Sequence, residues 1–158
     1  MHSQLEAILD EAENRYLKPD ELGILNQYVN SLPERLETYK YLRDQEIQIM
    51  QPVADQLQAE LPQEKIGNLE RSIKNALLIL RHCSMAMLLN DEAFVKNRLL
   101  GWLTQTSRAY NTQTIDSTLY RLLNQQLSQV LSPQQMSLLK PSLMLVQNAL
   151  MHPTSLTV

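Results

Sequence analysis

Residues 66–89 read IGNLERSIKNALLILRHCSMAMLL, and this stretch decides the fold. Ile66, Leu69, Ile73, Ala76, Leu77, Leu80, Ser84, Met87 and Leu88 recur at helical spacing. Leu78, Ile79 and Met85 add a second apolar side. A helix apolar over so much of its girth belongs at the centre of a fold, sheathed by other helices. The rest of the chain agrees with an all-α protein. Only three glycines occur, Gly23, Gly67 and Gly101, and no stretch sustains the period-2 alternation of a strand.

Towards the N-terminus, a short amphipathic helix is expected from Ser3 through Leu5, Ile8, Leu9 and Ala12, ending near Asn14. Lys18-Pro19-Asp20-Glu21 reads as a second helix start, because proline suits the first turn and acids suit the positive end of the helix dipole. Leu22, Leu25 and Val29 give its apolar face. Ser31-Leu32-Pro33-Glu34 marks another start or a bend, after which Leu36, Tyr39, Leu42 and Ile47 carry the pattern on. Pro52 is expected to break this stretch from Val53, Leu57 and Leu61, and Leu61-Pro62 to close it.

Towards the C-terminus, Asn90-Asp91-Glu92 caps a helix carrying Val95, Leu99, Trp102, Leu103 and Thr106. Asn111 to Thr114 reads as a loop. Ile115, Leu119, Leu122, Leu123, Leu127 and Val130 form the next helix. Ser132-Pro133-Gln134-Gln135 combines an N-cap, a proline at the first helical position and a capping-box glutamine. Met136, Leu139, Leu143, Val146 and Leu150 follow, with Pro141 expected to kink or break that helix. His152 to Val158 reads as a frayed tail. No internal repeat or low-complexity linker interrupts the chain, so residues 1–158 read as one domain.

The bulk numbers narrow the function. A formal charge of −3 with no basic run argues against a nucleic-acid partner, which needs phosphate neutralisation by a basic face. The longest aliphatic run is Ala76-Leu77-Leu78-Ile79-Leu80, far short of the roughly 20 apolar residues of a membrane span. The opening Met-His-Ser-Gln-Leu-Glu has neither the basic nor the apolar region of an export signal. The single cysteine, Cys83, allows no intrachain disulfide and fits a reducing cytoplasm.

Candidate chemistry is sparse. Of the three histidines, His2 and His152 lie near the termini, and no His/Cys/Asp/Glu spacing suggests a zinc site. His82 and Cys83 are adjacent, so on a helix they point about 100° apart and do not form a nucleophile-base pair. Cys83 reads as a buried, inert thiol. Asp10, Glu11 and Glu13 read as a solvated face rather than an acid/base pair. No Gly-rich phosphate loop is present. Tyr39, Tyr41 and Trp102 read as packing residues.

Three stretches carry a resemblance. Asn14-Arg15-Tyr16-Leu17 follows a short amphipathic helix, Leu80-Arg81-His82-Cys83-Ser84-Met85-Ala86-Met87-Leu88 ends the central helix, and Asn90-Asp91 comes next. They resemble the Gly-Lys/Arg-Tyr-Leu, Leu-Arg-Tyr-Ala-Thr-Tyr-Ala-Met-Leu and Gly-Asp segments of the phycobiliproteins, the light-harvesting subunits of the phycobilisome. The likeness in layout spans about residues 5–150, with close identity confined to these pieces. The fold it implies is globin-like, with two extra N-terminal helices.

The resemblance also implies what has been lost. In the family, a Cys-x-Arg/Lys-Asp signature begins nine residues before the arginine that matches Arg81. Here those positions hold Ser72, Lys74 and Asn75. A serine hydroxyl cannot replace the soft, easily ionised sulfur that forms the thioether to a bilin. Asn75 cannot supply the negative charge that stabilises a protonated bilin, and only Lys74 could still meet a propionate. Cys83, eleven residues on, lies on nearly the same face but about 16 Å along the axis, so it does not restore the tether. Family members pair through their N-terminal helices, an acid there meeting the partner's arginine. Glu11, five residues before Tyr16, and Arg81 hold those positions here. The alternative reading makes Glu11 a solvated acid and Arg81 an internal ion-pair partner.

The resemblance thus implies a non-enzymatic, phycobilisome-related interaction protein lacking a covalent bilin. Its partner would be itself or a phycobiliprotein-like subunit. Its place would be the cytoplasm, at or away from the cytoplasmic face of the thylakoid membrane. The alternative is a carrier or sensor that binds a bilin non-covalently near Lys74 and Asn75. Haem at His82 is disfavoured, because the resemblance places no haem histidine there.

Overall fold

The computed structural model describes residues 3–152, and among them every regular element is helical. The order is α1 (Ser3–Ala12), α2 (Pro19–Asp44), α3 (Glu46–Glu60), α4 (Ile66–Leu89), α5 (Ala93–Val95), a π-helical turn (Lys96–Leu100), α6 (Gly101–Tyr110), α7 (Gln113–Val130) and α8 (Pro133–Met151). The fold is all-α and globin-like. The tail expected from His152 to Val158 lies outside the described residues from position 153 onward, and so does His2.

The central role read for residues 66–89 is realised. α4 spans those residues and packs against α2, α3, α5, α7 and α8. Ala76, Ile79 and Cys83 on α4 are fully enclosed, together with Leu57 on α3, Leu119, Leu123 and Leu127 on α7, and Leu139 and Val146 on α8. Each large aliphatic side chain removed from water here contributes about 1.5–3 kcal/mol.

α4 is closed at its C-terminus by Asn90, which takes the left-handed conformation (φ 52°) that asparagine tolerates. Arg35 of α2 reaches across to this end. Its guanidinium donates to the Met87 carbonyl, to Asn90 Oδ1 at 3.0 Å, and through Nε to Ser31 Oγ at 2.9 Å. A cation set against the carbonyls of a helix C-terminus is favourably placed in the helix dipole.

Proline positions correct three expectations. Pro33 neither starts nor ends a helix but sits inside α2, so the second N-terminal helix and the first helix of the globin body are one continuous rod. Pro52 likewise sits inside α3, and the break falls earlier, at Gln45. Pro141 lies within an unbroken α8. Each proline removes one N–H and frees the carbonyl four residues back, at Val29, Gln48 and Ser137. All three of those residues are solvent-exposed, so water can take the lost bond. Two smaller differences accompany these. The loop expected from Asn111 to Thr114 shrinks to Asn111, at φ 50°, and Thr112. The helix after Asn90 passes through a π-helical turn that no sequence period announced.

Candidate functional site

The residues at the resemblance's pigment signature separate instead of converging. Ser72 sits on the inner face of α4 and is 1 % exposed. Lys74, two residues on, is exposed, and Asn75 is half-buried. A two-residue step turns about 200° around a helix, which is why Lys74 points away from Ser72. The Ser72 hydroxyl finds no partner at hydrogen-bonding geometry. It nevertheless lies near enough to the Asp116 carboxylate of α7 to favour its charged form.

Asp116 is the residue that the sequence reading missed. It is 5 % exposed, and burial pushes its carboxyl above the ordinary aspartate value, an effect partly offset by Thr112, Ser72 and Ser107. Thr112 Oγ1 donates to Asp116 Oδ2 at 2.8 Å, and Ser107 Oγ to the same oxygen at 3.4 Å. A signal was present: Asp116 is the only acid between Glu92 and the C-terminus, set between the apolar Ile115 and Leu119. Tyr120, one turn further, is also enclosed, and burial with the nearby Asp116 raises its hydroxyl well above the usual range. Cys83 is 0 % exposed, and burial pushes its thiol up to about 12, the behaviour of an inert core cysteine.

Outside this polar cluster, α4 faces the segment from Ala93 to Tyr110. Arg71 stacks on the Tyr110 ring, 3.8 Å from its centroid. His82 lies against Phe94, with ring centroids 5.9 Å apart, and its Nδ1 is 2.8 Å from the Leu78 carbonyl oxygen. α5 packs directly on α4, whereas α6 finds its main inter-helix packing on α8. No cluster of three or more potential metal-ligating side chains occurs among the described residues.

The pairing residues lie elsewhere. Glu11 is exposed and 3.3 Å from Arg15 Nε. Arg15 also clamps Glu21 through two bonds of 2.9 and 2.7 Å, while Glu21 accepts from the Lys18 backbone N–H at 2.7 Å. These contacts hold the Glu21 carboxyl down at about 2, the Arg15 bond being the largest cause. Tyr16 between them is 98 % exposed. Arg81 does not meet Glu11 within the chain. It bonds Glu46 of α3 through Nε at 2.8 Å and Nη2 at 2.5 Å, the internal ion pair left open as the alternative reading. Arg81 and Glu46, with Tyr39, Leu42, Arg43, Leu80 and Ser84, line a half-open cleft of about 190 Å³.

Comparison with known families settles kinship. A family model for phycobilisome proteins matches residues 9–150, nearly the whole described fold. The chain belongs to the phycobilisome protein family. No curated protein matches it. Membership gives this phycobilisome protein a role related to light harvesting, in a family whose members assemble with one another. No helix among its described residues is long and apolar enough to cross a membrane.

Proposed function

We propose that this phycobilisome protein is a non-enzymatic assembly partner that carries no covalent bilin and docks through its N-terminal helices onto a second subunit of the same fold. One observation carries the reading: the arm formed by α1 and the first part of α2 leaves several apolar side chains about half exposed or more. Within α2 the only buried residues are Arg35, Thr38 and Leu42, all in its second half. Before them, Leu22 and Val29 are each 51 % exposed, and Leu9 and Tyr16 are 48 % and 98 % exposed. Contiguous apolar surface rimmed by charge marks an interaction site more often than a solvated face. Glu11 beside this surface and Arg81 at its cleft supply complementary charges. Docking would exchange the internal Glu46 bond of Arg81 for one from the partner, so net affinity would come mainly from the apolar stripe.

The absence of a tether rests on Ser72, whose hydroxyl lacks thiol chemistry and faces the Asp116 side of the core. The location that fits such a partner is the cytoplasm at the thylakoid surface. Sedimentation velocity of the chain alone, and mixed with phycobiliprotein subunits, tests the docking. A larger species is expected, and Tyr16→Asp with Leu22→Asp, or Arg81→Glu, should remove it. A monomer that ignores every such subunit refutes the reading. Co-expression with a bilin-producing system should leave the denatured chain colourless.

A second reading has its own observation. Arg71 on Tyr110, exposed Lys74 and half-buried Asn75 offer cations and an aromatic face where α6 leaves α4. A bilin could lie there without a covalent bond. A visible band that is present in the native protein and lost on denaturation would favour it.

A further inference from the structure

Arg35 is a buried cation whose partners carry no charge. It is 8 % exposed, and its bonds go to Ser31 Oγ, the Met87 carbonyl and Asn90 Oδ1. These bonds use three of the five N–H donors of a guanidinium. Arg15, Arg43, Arg81 and Arg121 are all more exposed, and each of them meets a carboxylate. Burial pushes the Arg35 guanidinium below the ordinary arginine value, and no carboxylate offsets the shift. The C-terminus of α4 supplies roughly half an elementary negative charge. A full positive charge taken out of water is thus only partly compensated, and an uncompensated buried charge is costly.

Arg35 also lines a half-open cleft of about 210 Å³ between α1, α2 and the end of α4. Around it stand the amides of Gln4, Gln27 and Asn90 and the hydroxyl of Ser31, and no acid among the described residues lines the cleft. All of these side chains can donate a hydrogen bond. Asp91, the residue after Asn90, accepts from the Ala93 N–H at 3.0 Å. Leu5 of α1 gives the cleft an apolar side. A desolvated cation among donors, with no acid beside it, suits a negative ligand. The cleft is smaller than the roughly 300–1,000 Å³ of pockets for drug-sized molecules, so that ligand is small.

We propose that the cleft around Arg35 binds a small oxyanion, a carboxylate or phosphate head group, which supplies the missing counter-charge and pins α1 to the end of α4. The pinning follows from how α1 is held. Its buried residues are Leu5 and Ile8 alone, and Gln4 beside them lines the cleft. An anion bonded to Arg35 and Gln4 adds a polar anchor to those two apolar ones. The site lies within a single chain, so its test does not depend on the docking proposed above.

Thermal unfolding of the full chain, titrated with inorganic phosphate, with butyrate and with sodium chloride at matched ionic strength, provides the test. Phosphate or butyrate should raise Tm by about 3–6 °C at ten times its dissociation constant, and chloride should not. A response to one of the two oxyanions alone supports the site and names its head group. Amide exchange should slow in α1 on binding. Arg35→Gln should erase the response and lower Tm. Ser31→Asp keeps the cation and sets a carboxylate where Ser31 Oγ now meets Arg35 Nε at 2.9 Å. It should raise Tm without added anion and make the protein indifferent to phosphate and butyrate. Gln27 is exposed, and Gln27→Lys should tighten phosphate binding up to about fivefold. An equal response to chloride, no response to either oxyanion, or slowed exchange confined to helices other than α1 would overturn the proposal. So would a Ser31→Asp variant that responds as the wild type does.

Discussion

Asp116 is a carboxylic acid set in the core, 5 % exposed. Because burial raises its carboxyl value, the folded state holds the proton more tightly than the unfolded chain does. Stability is therefore unpenalised below the unfolded value of 3.8 and falls as pH rises through the higher folded value. Asp116→Asn keeps an acceptor for Thr112 and removes the charge. We expect a higher urea midpoint than wild type at pH 7, with the difference vanishing below pH 3.8. A variant less stable than wild type at pH 7 would mean that the carboxylate itself is needed there. Arg35 is the opposite case, a buried cation whose bonds are all to neutral oxygens at the end of α4. Arg35→Met leaves the Met87 carbonyl and Asn90 without this donor, and should cost about 2–3 kcal/mol in denaturant unfolding.

Among the elements, α8 has the clearest start signal. Ser132 Oγ accepts from the Gln135 N–H at 3.1 Å, and Gln135 Oε1 accepts from the Ser132 N–H at 3.0 Å. Both bonds were legible in the four residues Ser132-Pro133-Gln134-Gln135, because capping is a contact between near neighbours. Ser132→Ala should cost about 1 kcal/mol, measured by equilibrium unfolding. Proline was misleading for the same local reason. Pro33, Pro52 and Pro141 forbid one hydrogen bond each, but packing on either side decides whether the helix goes on. The Arg15 and Glu21 clamp that joins α1 to α2 has a pH window of its own. Its contribution is present above the ordinary glutamate value of 4.5 and is lost as pH falls towards about 2. Amide exchange at the start of α2 should accelerate across that window before the core opens.

Across the whole molecule, the arm and the globin body obey different rules. Core leucines such as Leu123 and Leu127 are fully enclosed, and Leu123→Ala should cost about 2–5 kcal/mol. The arm's Tyr16 and Leu22 are 98 % and 51 % exposed, so their replacement should leave the unfolding midpoint within about 0.5 kcal/mol of wild type while changing the sedimentation coefficient. The sequence alone determined the helical class, the central place of residues 66–89, the capping box at Ser132, and the substitution of Ser72, Lys74 and Asn75 at the signature positions. The first three are read from periodicity or from near neighbours in the chain, and the last from the resemblance to the phycobiliproteins. Tertiary structure alone decided that Ser72 faces a buried Asp116, that Arg81 is held by Glu46, and that Arg35 closes α4. These contacts join residues thirty-five or more positions apart, and their distances depend on how whole helices pack rather than on any local pattern.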